Sequence, residues 1–461
     1  MPRALRRELT LTSSVALVVS NMIGTGIFTT TGFLAGDLGR PSLVLGVWLL
    51  GAIVALAGCL SYAELGVNFP RSGGEYVYLR EVWGPAWGFL TGWVSFLAGF
   101  SAPIAAGALA FSEYLGNFYP SLSVNAGSDT VLGWLHFGKA QWVAMGLIAF
   151  FALINILGLA GAAKLQNVLT ALKVGALLAF LVLAFTAGHG HWTHFQQTTA
   201  RSSPHALGAQ FAVSLTFVMF AYSGWNAASY VVEEMKTPER TLPRALLAGT
   251  ALVGVLYLAL NVAFIYALPL GSLKGVVRVG AEAARALFGG WAGNLFSGIM
   301  AVSLAACVSA MTLVGPRIYY AMAQDGCFPP SAARLHPRWL TPVNAILYQA
   351  VASMLMVLTG TFEALIYYIG FVLILFAALA ATGVLRMRRR PDWKRLPAVS
   401  WCYPAVPVLF IGTSLWMLLL TLALRPRESS LGLLTVLSGG LLYLWKFRKG
   451  QSAKPGSPIE G

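Results

Sequence analysis

The chain has 461 residues, 57% of them apolar and 10% charged, with a mean hydropathy of +0.71. Soluble globular chains carry about 25% charged residues, so a soluble enzyme or binding module is excluded and an all-α polytopic membrane protein is expected. The net charge of +15 would suit nucleic acid, but the placement of the basic residues excludes that partner.

In chain order, twelve transmembrane helices are predicted at roughly 12–36, 42–66, 86–116, 140–160, 165–187, 207–232, 245–268, 291–323, 343–360, 362–386, 403–424 and 429–447, mostly long enough for the ~20 residues that cross a bilayer. The first run lacks a small-residue cleavage site and leads straight into further spans, so it reads as a retained helix. Twenty-two Lys and Arg residues fall on the side that holds both termini and eight on the other, with Lys173 inside a span. Cytoplasmic loops carry the basic excess, which makes both termini cytoplasmic and the basic balance a topology signal. Cys59, Cys307, Cys327 and Cys402 show no metal or redox spacing and read as packing residues.

The whole chain, 1–461, reads as one transmembrane domain. It divides into a first five-helix unit at 12–187, a second at 207–386, a final pair at 403–447, and a polar tail at 451–461 expected to be disordered. An odd number of helices per unit inserts the second unit upside down relative to the first, giving inverted five-helix repeats.

The first helix of each unit carries a break. Asn21-Met22-Ile23-Gly24-Thr25-Gly26-Ile27-Phe28 interrupts the first span, and Phe220-Ala221-Tyr222-Ser223-Gly224-Trp225-Asn226 the sixth. Unwound backbone at membrane depth is tolerated where it faces protein or a water-filled cavity, and paired breaks in two halves point to a carrier's substrate site. Glycine stops and restarts a helix without a Cβ penalty. The restarting half-helix offers free N–H groups and a partial positive end, so Gly24, Thr25 and Gly26, with Ile23 beside them, are assigned to an α-carboxylate. The half-helix ending at the second break leaves carbonyls free for an ammonium, with Phe220, Ala221 and Ser223 as contributors. One anion cradle facing one cation cradle describes a zwitterion such as an α-amino acid. Ordinary small-residue packing accounts for either break alone and far less well for both at matching positions.

Lys173 lies about nine residues into the fifth span, ~13 Å at helical rise. That is deep for snorkelling to water, and an unpaired buried lysine costs roughly 2.5–3.5 kcal/mol on insertion scales. A functional role is therefore preferred. Ser309 and Thr312 are candidates to face it. Glu113 reads as wetted near an outer end, Glu64 and Glu75 as ion-pair partners at the inner loop, and His189, His191 and His194 as a solvated loop, since no carboxylate or cysteine joins them as metal ligands.

Several segments are similar to those of the amino acid–polyamine–organocation transporters. The first-span motif at 21–28 is one, and Phe220 to Asn226 followed by Val232-Glu233-Glu234-Met235-Lys236 resembles the L-type amino acid transporter branch. Further matches are Phe69 to Tyr76, Ala323-Gln324-Asp325-Gly326 and Thr341-Pro342. The resemblance, over about 10–385, implies a LeuT-type fold with helices 1 and 6 broken, and alternating access by rocking of one bundle against another. It implies that Gly24, Thr25 and Gly26 contact the carboxylate and that Phe220, Ala221 and Ser223 offer carbonyls to the amino group. By the same matching, Phe220 closes over substrate from outside, while Trp225 and Asn226 line or support the pocket. Lys173 matches the lysine that sodium-independent members hold where sodium-coupled ones bind an ion.

The function expected is sodium-independent transport of neutral L-amino acids across the plasma membrane, or the inner membrane of a bacterium, as an exchanger or a proton symporter. The alternatives are a polyamine or organocation transporter of the same fold and a non-transporting amino acid sensor. A polyamine would want pocket carboxylates, which neither break supplies, and a sensor would carry a larger tail. The spans hold no histidine and few carboxylates, so an enzyme is not expected, and no cofactor is implied. Expected partners are the amino acid, lipid and, for symport, protons. The members of the resembling family that pair with a glycoprotein subunit use a cysteine in the loop after the third span; residues 117–139 contain none, so by the resemblance no disulfide-linked subunit is expected.

Overall fold

The computed structural model describes residues 7–124, 129–131, 135–276, 278–359 and 362–446; the tail at 451–461 lies outside them. Two half-helices open the chain, α1 (Leu11–Met22) and α2 (Thr25–Leu38), followed by α3 (Pro41–Asn68), the short α4 (Glu75–Trp83) and α5 (Pro85–Val94). A wide π-helical segment, Ser95–Ser101, joins α5 to α6 (Ala102–Leu115). Pro103 has no N–H to bond the carbonyl four residues back, which suits the wider turn at this place. Then come α7 (Lys139–Leu157), α8 (Leu159–Thr186), α9 (Leu207–Ala221), a 3-10 segment Ala227–Glu234, and α10 (Pro238–Ala267). After the short α11 (Leu270–Leu273) and α12 (Val279–Phe288) follow α13 (Gly290–Val314), α14 (Pro316–Gln324), α15 (Val343–Thr359), α16 (Phe362–Met387), α17 (Pro397–Ser400), α18 (Ala405–Leu424) and α19 (Pro426–Lys446).

Among the described residues, nine helices or helix pairs are long and apolar enough to cross a membrane, and three shorter apolar helices accompany them. Most of their bounds lie close to the predicted ones, but α10 begins at Pro238, ahead of the expected 245. The segments read as loops are more ordered than expected: 69–84 contains α4, 269–290 contains α11 and α12, and Asp129–Val131 pairs antiparallel with Leu135–Phe137. Short amphipathic pieces at a water boundary give weaker apolar signals than spans do, which is why hydropathy passes over them.

The two broken regions touch. A Cβ on Gly26 would lie 2.6 Å from the Cα of Ala221, and one on Gly224 would lie 2.7 Å from the Asn21 Cβ. Gly224 also holds φ +95°, a conformation that only glycine adopts at little cost. Around this crossing, α1 packs on α8, α10 and α13, while α2 and α3 pack on α9.

The end of the bundle that carries α4 is tied by charge. Leu9 pairs in parallel with Met235, through Leu9 N–H to the Glu234 carbonyl at 2.8 Å and Lys236 N–H to the Leu9 carbonyl at 3.1 Å. Arg317 donates to both Glu234 oxygens at 2.6 and 3.1 Å, and both side chains are at most 2% exposed. Arg71 and Arg80 both reach Asp325, at 2.9 and 2.8 Å, and the Tyr76 hydroxyl donates to it at 2.8 Å. Glu64 is an ion-pair partner as expected: the Arg388 guanidinium meets it at 2.6 Å through both oxygens, with Trp393 Nε1 at 2.8 Å.

Removing one partner of a buried pair strands the other charge at about 3–5 kcal/mol. Glu234→Gln should therefore lower thermal stability strongly in detergent, read by intrinsic tryptophan fluorescence. An unchanged melting temperature would contradict the pairing.

Candidate functional site

A cavity with ≈ 840 Å³ of empty space, open solvent included, lies beside the second break. The π segment before α6, the turn after α9, and α13, α16 and α18 form its walls. Asn21 reaches it from α1, Phe220, Ser223, Trp225 and Asn226 from the second break, and Glu75 from the start of α4. Trp225 is 4% exposed and wedged edge-on between Tyr62, with centroids 4.6 Å apart, and Phe410, at 5.6 Å. Phe220 is half-buried at the wall, its Cβ 4.0 Å from a Cβ built on Gly370.

The residues of the first break stand apart from this wall. Ile23 is fully buried, Gly26 is buried against Ala221, and Gly24 and Thr25 are partly exposed; none of the four lines the cavity. Gly24 is the extended residue before α2, and no side chain caps that helix. Its first N–H groups thus keep the donor capacity that helix termini leave open. At the second break the Phe220 carbonyl accepts from Ser223 N–H at 3.0 Å, and the Ala221 carbonyl accepts from the Tyr257 hydroxyl at 3.1 Å. Each carbonyl retains a second lone pair.

Tyr257 is a residue that the sequence reading missed. Its hydroxyl, on α10, lies 2.6 Å from the Met22 carbonyl as well, so one proton is shared between the backbones of both breaks. One tyrosine in an apolar span carries no pattern that singles it out.

Lys173 is 1% exposed. It sits fourteen residues into α8, about 21 Å at helical rise, deeper than the sequence suggested. Its ammonium donates to the Ile23 carbonyl at 2.7 Å and to the Ser20 carbonyl at 3.3 Å. These are terminal carbonyls of α1, where the helix dipole favours a cation. The residue of α13 beside it is Cys307, whose thiol donates to the Asn21 carbonyl at 3.7 Å. Thr312 instead donates to its own helix at Val308, and Ser309 makes no contact with Lys173 among the hydrogen bonds of the described residues.

Glu75 departs from its expected role as an ion-pair partner. Its Oε1 accepts from the Tyr62 hydroxyl at 2.7 Å and from Asn226 Nδ2 at 2.8 Å. No cation lies within 4 Å of it among the described residues. Burial pushes its carboxyl up to about 7, against the two hydrogen bonds that lower it. Asn226 also reaches the Tyr230 hydroxyl at 3.1 Å. The pocket thus contains a carboxylate after all, supplied by a loop helix rather than by a break, which is why the motif reading did not find it.

Two outlying assignments change in detail. Glu113 is not simply wetted: it accepts from Ser123 Oγ and Val124 N–H, both at 2.8 Å. The histidine segment is not only solvated, since His194 Nδ1 lies 3.0 Å from the Tyr266 carbonyl.

Comparisons with known proteins bear on this arrangement. The family model described as amino acid permease matches residues 9–435. The serine/threonine exchanger SteT of Bacillus subtilis (strain 168) is 31% identical over 447 residues, covering 95% of this chain and 96% of SteT. The large neutral amino acids transporter small subunit 2 of Mus musculus is 30% identical over 453 residues, covering 95% and 81%. The Asc-type amino acid transporter 1 of Mus musculus is 30% identical over 448 residues, covering 95% and 80%.

Proposed function

The chain belongs to the amino acid permease family, and from that membership we propose that it moves neutral L-amino acids across a membrane by alternating access, without sodium. The observation that carries the reading is the crossing of two broken helices beside one cavity, with uncapped N–H groups at one break and part-satisfied carbonyls at the other. The relatives' names supply the substrate class: one exchanges serine and threonine, and another takes large neutral amino acids.

In this reading the twelve helices adopt a LeuT-type fold with inverted five-helix repeats, 12–187 and 207–386, and the α4 end is cytoplasmic with both termini. The protein resides in the plasma membrane, or the inner membrane of a bacterium. Gly24, Thr25 and Gly26, followed from Ile23, receive the carboxylate; Phe220, Ala221 and Ser223 receive the ammonium. Phe220 closes the outer side, and Trp225 and Asn226 shape the floor. The first break does not line the cavity in this conformation, so substrate would draw α2 towards it. Lys173 supplies, from within the protein, the cation that a bound sodium would otherwise bring to the end of α1. No heavy subunit is disulfide-linked to it.

Sodium-free proteoliposomes carrying the purified chain test this. Labelled serine, threonine, alanine and leucine should enter vesicles preloaded with unlabelled amino acid, at rates unchanged when choline replaces sodium. A strict sodium requirement, or uptake of polyamines in place of amino acids, would overturn it. The Glu75 carboxyl at the floor is the feature a cationic substrate would use, so spermidine belongs in the panel.

A further inference from the structure

Glu75 combines four properties. It lines the cavity, it is 4% exposed, it has no cationic partner among the described residues, and both of its hydrogen bonds fall on Oε1. Oε2 receives no hydrogen bond from the described residues. An ionised carboxylate so placed pays the desolvation cost of a buried charge without a counter-charge. A proton on Oε2 removes that cost.

We propose that Glu75 is the proton-binding residue of the transport cycle, loading its proton from the cavity and releasing it to the α4 end when that end opens. The proposal rests on the transport reading above. The proton comes from water in the cavity, adds to Oε2 and leaves to water on the far side. A zwitterionic substrate would thus travel with one net positive charge.

The surroundings leave Glu75 as the titrating group of this floor. From α3 comes Tyr62; from the segment after the second break come Asn226 and Tyr230; from α4 itself comes Tyr78. These are an amide and phenols, with no carboxylate, histidine or cation among them. α4 also packs on α5, α14 and α16. α5 has no titratable side chain. On α14, Arg317 is held by Glu234, and Tyr319 and Tyr320 are phenols. On α16, Arg386 lies over the Trp83 ring, 4.6 Å from its centroid. Nearby Arg71, Arg80 and Tyr76 converge on Asp325, and Glu233 lies beside Arg71.

The sign follows from linkage. The buried carboxyl titrates higher than a hydrated one, so the closed state holds the proton more tightly than the open state. Opening the α4 end to water therefore releases it, and alkaline solution on that side favours opening.

The test uses the full chain in proteoliposomes and measures two quantities: exchange of labelled serine against internal serine, and net uptake into empty vesicles under an inward proton gradient. For the unmodified chain, a gradient of one pH unit should raise initial net uptake several-fold, up to the ~tenfold change in protonation per unit. Glu75→Gln should lose that stimulation, its net uptake being the same with and without the gradient. Tyr62→Phe removes a donor to the ionised form, so it should move the midpoint of the pH profile upward. Gradient-driven uptake that persists in Glu75→Gln overturns the proposal. So does exchange without any gradient effect in the unmodified chain, or, if Glu75→Gln fails to exchange, an unmoved midpoint in Tyr62→Phe. Absence of exchange in the unmodified chain would instead strike the transport reading itself.

Discussion

Lys173→Ala is expected to reduce exchange by about a hundredfold or more, with the protein still inserted and monodisperse. The ammonium joins α8 to the last turn of α1 through the Ile23 and Ser20 carbonyls, just before the chain unwinds at Gly24. Charged hydrogen bonds contribute roughly 1.5–3 kcal/mol each, and each 1.4 kcal/mol is a factor of ten. Alanine also leaves two carbonyls without a donor at membrane depth, where no water replaces it. Lys173→Arg keeps the charge but requires a planar five-donor group to fit a site built around one nitrogen, so it should restore little. Initial-rate exchange in proteoliposomes, normalised to reconstituted protein, is the measurement. An Ala variant within a few-fold of the unmodified chain would show that Lys173 merely fills space.

The second large effect separates two glycines of one motif. Gly26→Ala should abolish transport, because its Cβ would stand 2.6 Å from the Ala221 Cα and Cβ. Backbone at that distance has to move, and overpacking a well-filled contact costs about 1–3 kcal/mol in stability. The crossing of the two breaks would separate where the proposed reading places the substrate. Gly24→Ala meets only the Cys307 sulfur, at 3.4 Å, and its φ of −126° suits any residue. It should keep a folded carrier with impaired substrate affinity, seen as a raised KM. Gly46, with nothing within 4 Å of a built Cβ, is the control whose alanine variant should behave as the unmodified chain. Equal behaviour of Gly24→Ala and Gly26→Ala would refute the close crossing.

Both predictions concern residues visible in the sequence, but for reasons that the sequence did not contain. Gly26 was singled out as an N–H donor to a carboxylate, whereas the fold adds that it is the contact between the breaks. Lys173 was singled out by the cost of a charge at depth, whereas its acceptors come from α1, 150 residues earlier. Glu75 shows the opposite case. It reads as an ion-pair partner, yet its neighbours in sequence, Arg71 and Arg80, both turn to Asp325 and leave the carboxyl to Tyr62 and Asn226.

What the sequence determined by itself was the class of molecule and the sites of its irregularities. Hydropathy runs have to match the bilayer, and glycine within them marks where backbone is permitted to unwind; both are local properties, readable without knowing what packs where. The tertiary structure alone decided which groups meet. Tyr257 joining Met22 to Ala221, Lys173 closing the end of α1, Arg317 finding Glu234 and Glu75 facing the cavity are pairings across helices far apart in the chain. Apolar periodicity says that a helix face is buried, while the partner for a buried polar atom is selected by the packing of whole helices. In a medium without water to satisfy that atom, the selection is what makes the site.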